Sequence, residues 1–206
     1  MVYILTGGPA TGKGTRSEIL ANALNIAHIA TGDMLREVAK TDKEIQQKLA
    51  NGELISDEII TKLLEERLSQ EDCKEGFVLD GYPRTLAQVK LLDEVLDKLG
   101  KKVDKVIELT APDELVFKRI LERKKCDNCG KMYGIDFPSK VENVCDDCGG
   151  KLSVRADDTK ETLKNRIDTY KANSKEILEY YKNIGLLKTV DSSGHSERIV
   201  QEATED

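Results

Sequence analysis

The chain of 206 residues has no tryptophan, only three phenylalanines and no long apolar run. No stretch approaches the roughly 18 apolar residues of a membrane-spanning helix, so we expect no membrane partner. The formal charge of −6 and the few aromatics argue against nucleic-acid binding, which typically needs a basic face. The N-terminus lacks the basic segment and cleavage site of a secretion signal. We therefore expect a cytoplasmic protein and, since no dimer surface is evident, a monomer.

Short apolar runs alternate with amphipathic helical segments along the chain. The strands are predicted at residues 2–6, 27–29, 77–80, 103–109 and 186–190. Helices are predicted to follow, including residues 85–99, a segment opened by Pro112, and residues 160–183. This alternation predicts an α/β fold, a five-stranded parallel sheet flanked by helices on both faces. Ligands of such sheets bind beyond the carboxyl ends of the strands.

Residues 7 to 15 read Gly-Gly-Pro-Ala-Thr-Gly-Lys-Gly-Thr, directly after the first predicted strand. The spacing Gly7-x4-Gly12-Lys13 is that of a phosphate-binding loop between a strand and a helix. Glycines let backbone N–H groups wrap a polyphosphate at the positive end of the helix, and Lys13 adds a full charge. An ordinary glycine-rich turn is the alternative, but it seldom supplies the glycines and the lysine in register. The first hydroxyl after Lys13 belongs to Thr15, because a glycine intervenes.

Four of the five cysteines form two Cys-x2-Cys pairs, Cys126 with Cys129 and Cys145 with Cys148. Two such turns can place four thiolates around a zinc ion, and the segment is too short to bury a core of its own. We therefore predict a structural Zn²⁺, because four thiolates leave no open position for catalysis. Disulfides are the alternative, and a cytosolic location disfavours them. Cys73 has no such neighbour and is interpreted as an inert thiol.

Arginines are scarce, nine against 23 lysines, which makes their positions informative. Arginine stays charged and binds phosphate oxygens in a bidentate way. Six of them fall on segments that resemble those of a known family, as described below: Arg36, Arg84, Arg119, Arg123, Arg155 and Arg166. We interpret these six as phosphate ligands, although a solvated surface charge is the alternative for any one of them. Arg67 and Arg198 have no motif around them and are interpreted as surface charges.

Several segments together resemble the adenylate kinase family of nucleoside monophosphate kinases. They are the loop at residues 7 to 15, Thr31-Gly-Asp-Met-Leu-Arg36, Asp80-Gly-Tyr-Pro-Arg-Thr85 with Gln88, and Arg155-Ala-Asp-Asp158. The four-cysteine segment is similar to the zinc-bearing lid of the long bacterial form. Their order and spacing agree over essentially the whole chain, although the family usually has glycine where this chain has Ala10.

The resemblance implies the P-loop nucleoside monophosphate kinase fold and the reversible reaction ATP + AMP = 2 ADP, which maintains the adenine nucleotide balance. It implies Mg²⁺ as the cofactor that accompanies ATP. It also implies a core at residues 1–29, 60–122 and 160–206, an AMP-binding insertion at 30–59, and a lid at 123–159. Lid closure over ATP would exclude water from the reaction.

The resemblance further assigns roles to individual residues. ATP is contacted in the family by residues that match Gly7, Pro9, Ala10, Thr11, Gly12, Lys13, Gly14, Thr15, Arg119, Arg123, Met132, Tyr133 and Gly194. AMP is contacted by residues that match Thr31, Arg36, Glu53, Leu54, Ile55, Gly81, Tyr82, Pro83, Arg84, Gln88, Arg155 and Arg166. The catalytic set matches Lys13, Arg84, Arg123, Arg155, Arg166 and Asp80, of which Asp80 orients Mg²⁺.

Some alternatives stay open at this stage. The acceptor could be GMP, UMP or CMP, but Gln88, whose amide both donates and accepts a hydrogen bond, favours adenine. The donor could be GTP, because the family reads the donor base largely by backbone contacts and stacking. A zinc-ribbon nucleic-acid module on a nucleotide switch is disfavoured by the acidic charge. Asp157 and Asp158 could pair with arginines at the lid hinge or contact a ligand. Neither His28 nor His195 is assigned a catalytic role, because phosphoryl transfer needs little acid–base chemistry.

Overall fold

The structure of the chain is a computed structural model that describes residues 1–155, 158–194 and 196–205. Asp157 and His195, both named above, lie outside the described residues. The strands are β1 (Val2–Gly7), β2 (Ala27–Ala30), β3 (Phe77–Asp80), β4 (Lys105–Thr110), β5 (Lys124–Cys126), β6 (Met132–Tyr133), β7 (Leu152–Ser153) and β8 (Leu187–Asp191). The α-helices are α1 (Lys13–Leu24), α2 (Thr31–Val38), α3 (Lys43–Asn51), α4 (Asp57–Leu68), α5 (Leu86–Lys98), α6 (Asp113–Glu122), α7 (Lys160–Asn183) and α8 (Arg198–Thr204). None of the helices within the described ranges is both long and apolar enough to cross a membrane.

A five-stranded parallel sheet forms the centre of the fold, with the strand order β2-β3-β1-β4-β8. All five predicted strands are present, with ends shifted by at most two residues, and the predicted α/β architecture is confirmed. The helix predicted at 85–99 begins one residue later, because the Thr85 hydroxyl accepts a hydrogen bond from Gln88 N and caps it. The last long helix has the predicted bounds.

Alternate residues of β1 pack into opposite layers. Val2 and Ile4 belong to a core with residues of α4, α5 and α7, whereas Tyr3 and Leu5 belong to a core with residues of α1 and α8. All four side chains are buried, and each such burial contributes about 1.5–3 kcal/mol. Because helices cover both faces, the carboxyl edge of the sheet remains as the place for a ligand.

Three helices, α2 to α4, occupy the connection between β2 and β3. The predicted boundary between residues 59 and 60 falls inside α4, which begins at Asp57. This connection is tied to α7, because the Thr162 hydroxyl donates to the Ala50 carbonyl at 2.7 Å and the Asn165 amide donates to the Asn51 carbonyl at 3.0 Å. Helix α3 is therefore fixed against α7, the helix that carries Arg166.

The segment between α6 and α7 contains a small antiparallel sheet with the order β6-β5-β7. Its own core consists of Cys126, Tyr133, Cys145 and Leu152. Four side chains bury too little apolar surface to hold such a module, so its stability must come from elsewhere.

Candidate active site

The predicted phosphate-binding loop joins β1 to α1 at the carboxyl edge of the sheet. Its curvature rests on positive φ angles of 143° at Gly7, 55° at Ala10 and 82° at Gly12. A Cβ at Gly7 would lie 2.4 Å from the Leu109 carbonyl oxygen, so only glycine fits there. Ala10 adopts the left-handed conformation at a cost of about 1–2 kcal/mol. The loop therefore curves with an alanine at the position where the resembling family usually has glycine.

The Lys13 ammonium is folded over this loop and donates to the carbonyl oxygens of Gly7 and Gly8, both at 2.8 Å. Loss of hydration in the cleft lowers the pKa of Lys13 to about 8; Asp80 opposes this shift, and neighbouring arginines reinforce it. An anion that enters the loop would raise the pKa of Lys13 again, because a nearby opposite charge stabilises the protonated ammonium.

Two of the predicted phosphate ligands converge on one carboxylate. Arg123 Nε donates to Asp158 Oδ2 at 2.8 Å, and its Nη2 donates to Oδ1 of the same residue. Arg166 Nη1 lies 3.7 Å from Asp158 Oδ1, and the Asp158 side chain is only 2% exposed. Of the two alternatives for this aspartate, the structure favours the pairing with arginines. The bidentate pair fixes the direction in which Arg123 points.

Arg119 and Arg16 meet at the backbone that follows β8. Arg119 Nη2 donates to the Ser192 carbonyl at 2.7 Å and also lies 2.8 Å from Asp136 Oδ2. Arg16 Nη2 donates to the carbonyl oxygens of Ser192 at 2.8 Å and Gly194 at 3.1 Å, and Arg16 is buried. Two buried guanidinium groups thus organise one short loop.

The sequence analysis did not assign Arg16 a role. A signal was available, because Arg16 follows Lys13 by three positions on α1 and so lies on the same side of the helix. Asp136 was also not named, and nothing local in the sequence connects it to Arg119.

The carboxyl end of β3 lies beside the loop, because β3 pairs with β1. The Thr31 hydroxyl donates to the Asp80 carbonyl at 3.0 Å, and Arg84 Nε donates to the Gly81 carbonyl at 2.7 Å. Arg36 binds Asp33 through Nε at 3.2 Å and Nη2 at 2.7 Å. The two predicted acceptor arginines are therefore positioned by neighbours three residues away.

Gln88 is 3% exposed, and both ends of its amide are engaged. Its Oε1 accepts from Arg84 N at 2.7 Å, and its Nε2 donates to Asp57 Oδ1 at 2.7 Å. Asp57 lies in the first turn of α4, and its contact with Gln88 was not anticipated from the sequence.

One cleft brings together nearly all of the predicted nucleotide ligands. Its lining includes Gly7, Pro9, Ala10, Gly12, Lys13, Gly14, Thr15, Thr31, Arg36, Glu53, Leu54, Ile55, Asp80, Gly81, Tyr82, Pro83, Arg84, Gln88, Arg119, Arg123, Met132, Tyr133, Arg155 and Arg166. Thr11 and Gly194 are not among the lining residues. Thr11 is buried and its hydroxyl donates to the Gly8 carbonyl at 2.9 Å, whereas the Gly194 carbonyl accepts from Arg16.

The remaining residues singled out from the sequence have structural surroundings. Arg67 is not an isolated surface charge, because it binds Asp72 at 2.6 Å and donates to the Cys73 sulfur at 3.2 Å. Cys73 is fully buried in the main core. Arg198 is exposed and lies 3.6 Å from Glu202. His28 Nε2 lies 3.9 Å from Asp80 Oδ2, beside the cleft rather than among its lining residues.

The four predicted metal ligands form a compact cluster. The sulfur atoms of Cys126, Cys129, Cys145 and Cys148 all lie within 4.8 Å of one another. Two of the sulfur–sulfur distances are 3.5 and 3.6 Å. A tetrahedral zinc site with Zn–S bonds of about 2.3 Å spaces its sulfur atoms by about 3.8 Å, whereas a disulfide bond measures about 2.05 Å. The cluster could therefore hold a zinc ion.

Comparison with known proteins gives a consistent result. The family model described as adenylate kinase matches residues 5–186. The chain is 46% identical to an adenylate kinase of Caldicellulosiruptor bescii over 192 residues, which cover 91% of the chain and 89% of that relative. It is 43% identical to an adenylate kinase of Archaeoglobus fulgidus over 207 residues, covering 98% of the chain and 95% of the relative. For an adenylate kinase of Thermosipho africanus the identity is 42% over 207 residues, with coverages of 98% and 97%.

Proposed function

The chain belongs to the adenylate kinase family and catalyses the reversible reaction ATP + AMP = 2 ADP, and we propose how its own residues divide that work. The observation that carries the proposal is the shared cleft. A loop suited to polyphosphate and a buried amide suited to adenine lie in one cavity, and arginines line the space around them. In-line transfer requires a donor site and an acceptor site that face each other across such a cavity.

The donor nucleotide binds along the loop from Gly7 to Thr15. Backbone N–H groups and Lys13 hold its phosphates. The phosphate oxygens replace the Gly7 and Gly8 carbonyls as hydrogen-bond acceptors of the Lys13 ammonium. Arg119, the Met132–Tyr133 backbone and the loop at Gly194 hold its base. Arg16 supports this end indirectly, because it fixes the loop that Arg119 also contacts.

The acceptor AMP binds on the side of α2 and β3. Arg36 and Arg84 hold its phosphate, Thr31 and the backbone at residues 81–83 position the nucleotide, and the segment 53–55 covers it. Gln88 reads the adenine edge, for which its buried amide is suited because it combines a donor and an acceptor.

The transferring phosphoryl group spreads negative charge over its equatorial oxygens in the transition state. Lys13, Arg123, Arg155 and Arg166 neutralise that charge, and the rigid Arg123–Asp158 pair lets Arg123 do so without reorganisation. Little acid–base chemistry is needed, so neither histidine takes part.

Mg²⁺ fits beside the loop. A Cβ at Gly14 would lie 3.5 Å from Asp80 Oδ2, so this carboxylate faces the start of α1 where the phosphates lie. Carboxylate, hydroxyl and phosphate oxygens are the ligands that Mg²⁺ prefers. When bound with ATP, it would supply charge neutralisation at the donor phosphates, and Asp80 would hold it in place.

Three regions carry these roles: a core at residues 1–29, 60–122 and 160–206, an AMP-binding insertion at 30–59, and a lid at 123–159. The lid closes over ATP and excludes water, which would otherwise accept the phosphoryl group. Zn²⁺ bound by the four cysteines has no chemical part in the transfer and makes the lid rigid, as its small apolar core requires.

The enzyme is proposed to work as a cytoplasmic monomer, with ATP, AMP and ADP as its partners and without membrane or nucleic-acid partners. Size-exclusion chromatography with light scattering would test the monomer, because a dimer would have twice the mass of the 23.0 kDa chain.

The experiment that tests the function gives the pure protein ADP and Mg²⁺ alone and follows nucleotides by phosphorus NMR. ATP and AMP should appear in equal amounts, because only reversal of the reaction forms both. Formation of AMP and free phosphate would instead identify a hydrolase whose lid fails to exclude water. If neither forms, the reaction assignment is wrong, and ATP with GMP, UMP or CMP becomes the next assay.

A further inference from the structure

The amide of Gln88 can adopt only one orientation in its pocket. Arg84 N, on one side, is a backbone donor that cannot accept, and it lies 2.7 Å from Gln88 Oε1. Asp57 Oδ1, on the other side, belongs to a carboxylate that cannot donate, and it lies 2.7 Å from Gln88 Nε2. Arg84 N can therefore pair only with the oxygen of the amide, and the Asp57 carboxylate only with its nitrogen.

Rotation of the amide by half a turn would break both contacts at once. The Gln88 oxygen would face the Asp57 carboxylate, and the Gln88 NH₂ group would face the Arg84 N–H. Gln88 is only 3% exposed and Asp57 is half-buried, so water replaces the lost hydrogen bonds incompletely. The rotated amide is disfavoured on both sides.

The locked amide still has one N–H of Nε2 and one lone pair of Oε1 to offer to a nucleobase. Adenine presents a donor, its 6-amino group, next to an acceptor, a ring nitrogen, and it matches this pair. Guanine presents a 6-carbonyl acceptor next to its N1–H donor, which is the reverse pattern. Guanine could pair with Gln88 only through the rotated amide.

We infer that Asp57 is a specificity-determining positioning residue, which fixes the amide of Gln88 so that the acceptor site takes AMP and rejects GMP. The inference rests on the proposed role of Gln88 as the residue that reads the acceptor base. Asp57 acts through Gln88 and does not need to touch the nucleotide.

A simpler role for Asp57 must be separated from this one. Asp57 and Glu58 both lie in the first turn of α4, where acidic side chains stabilise the helix N-terminus. Glu58 is exposed, and none of the described hydrogen bonds joins it to the cleft. Glu58→Gln is therefore a matched control, because it removes the same charge from the same helix turn.

The test measures kcat/KM for AMP and for GMP, with saturating MgATP, in the full-length protein and its Asp57→Asn variant. The amide that this substitution introduces can donate as well as accept, so it tolerates either orientation of the Gln88 amide. The AMP-over-GMP ratio should fall by about tenfold or more, the scale of one misplaced buried hydrogen bond. The KM for ATP should not change. Glu58→Gln should leave the ratio unchanged, and Asp57→Glu should largely restore it.

A double variant tells whether Asp57 works through the amide. In a Gln88→Leu background, Asp57→Asn should cause no further change in the ratio. An unchanged ratio in Asp57→Asn alone, or a further change in the absence of the amide, would overturn the inference. Asp57→Ser repeats the test if Asp57→Asn lowers the yield of folded protein, because a hydroxyl also donates or accepts. If Gln88→Leu itself leaves the KM for AMP unchanged, the proposed role of Gln88 fails rather than that of Asp57.

Discussion

Lys125 Nζ lies 3.0 Å from Asp33 Oδ1, and this ion pair joins β5 of the small sheet to the helix α2 that carries Arg36. Burial acts to raise the pKa of Asp33, but Arg36 and Lys125 outweigh it and hold the pKa at about 2. The Asp33 carboxylate is therefore ionised at any working pH, and it forms ion pairs with both Arg36 and Lys125. The contact joins the proposed lid to the proposed AMP-binding insertion.

Lys125→Met should weaken the link between β5 and α2. A partly exposed ion pair contributes about 0.2–1 kcal/mol, so the KM values of both nucleotides should rise by about twofold. If opening for product release limits turnover, kcat should stay the same or rise. High salt should reduce the difference in KM between the variant and the unmodified enzyme, because it screens the ion pair.

Lys124→Met is the matched control, because Lys124 donates to Asn143 within the same segment and does not cross the cleft. Steady-state kinetics of both variants give the kcat and KM values that test this prediction. A fall in kcat of Lys125→Met with unchanged KM values would contradict the role of this contact.

Lys13 gives the enzyme a pH dependence of known sign. Because its pKa is lowered to about 8, the free enzyme loses the ammonium charge as pH rises through that value. The kcat/KM for MgATP should therefore fall above pH 8, and Lys13→Arg should lack this fall, since arginine stays charged. A fall of the same shape in Lys13→Arg would assign the titration to another group.

Lys13→Met should lower kcat by about 10²–10³-fold, the usual loss for one preorganised donor. The fold should remain, because the charged Lys13 does not stabilise it. The pKa of Lys13 is lower in the folded chain than in the unfolded chain, so folding disfavours the protonated form. Folding stability of the unmodified protein therefore gains with pH between about 8 and the ordinary lysine value of 10.5. Calorimetry should find that this gain is absent in Lys13→Met, and retained transfer activity would remove Lys13 from the mechanism.

Arg16→Met should raise the KM for ATP several-fold and leave the KM for AMP near its original value. The reason is that Arg16 fixes the Ser192 and Gly194 carbonyls, which belong to the donor end proposed above. Loss of these charged hydrogen bonds should also lower the free energy of unfolding by about 1.5–3 kcal/mol. Lys175→Met, at a lysine of α7 that is 81% exposed, is the control and should alter neither quantity. Equal increases of both KM values in Arg16→Met would argue for a general structural defect.

Cys129→Ser separates the proposed structural metal from the chemistry. The variant should lose bound zinc, and its midpoint of thermal unfolding should drop by about 10 °C, because metal binding supplies folding energy to the small module. Its rate at low temperature should stay within about twofold, because the thiolate cluster lies outside the transfer site.

Zinc content is read by a colorimetric chelator and unfolding by calorimetry. Cys73→Ala should keep one equivalent of zinc, since Cys73 is buried in the main core. Parallel loss of activity and stability in a folded Cys129→Ser protein would show that the division between structure and chemistry is wrong.

Much of the fold could be predicted because its signals are local. The alternation of apolar runs and helical segments defined the parallel sheet, and strand ends moved by only one or two residues. The loop at residues 7 to 15 and the two Cys-x2-Cys turns are short patterns whose chemistry depends on spacing alone. The segments that carry Arg36, Arg84, Arg123 and Gln88 were found for the same reason, and the fold brings them to one cleft.

The contacts that organise the cleft join residues far apart in the chain. Arg16 and Ser192 are 176 positions apart, Lys125 and Asp33 are 92 apart, and Gln88 and Asp57 are 31 apart. Periodicity and motif spacing report only on neighbours, so the sequence determined which groups can bind phosphate, adenine and metal. Which carbonyl a buried guanidinium meets, and which way an amide points, depends on the packing of distant elements. Only the tertiary structure decided those, because a buried polar group takes whatever partner the fold brings within hydrogen-bonding distance.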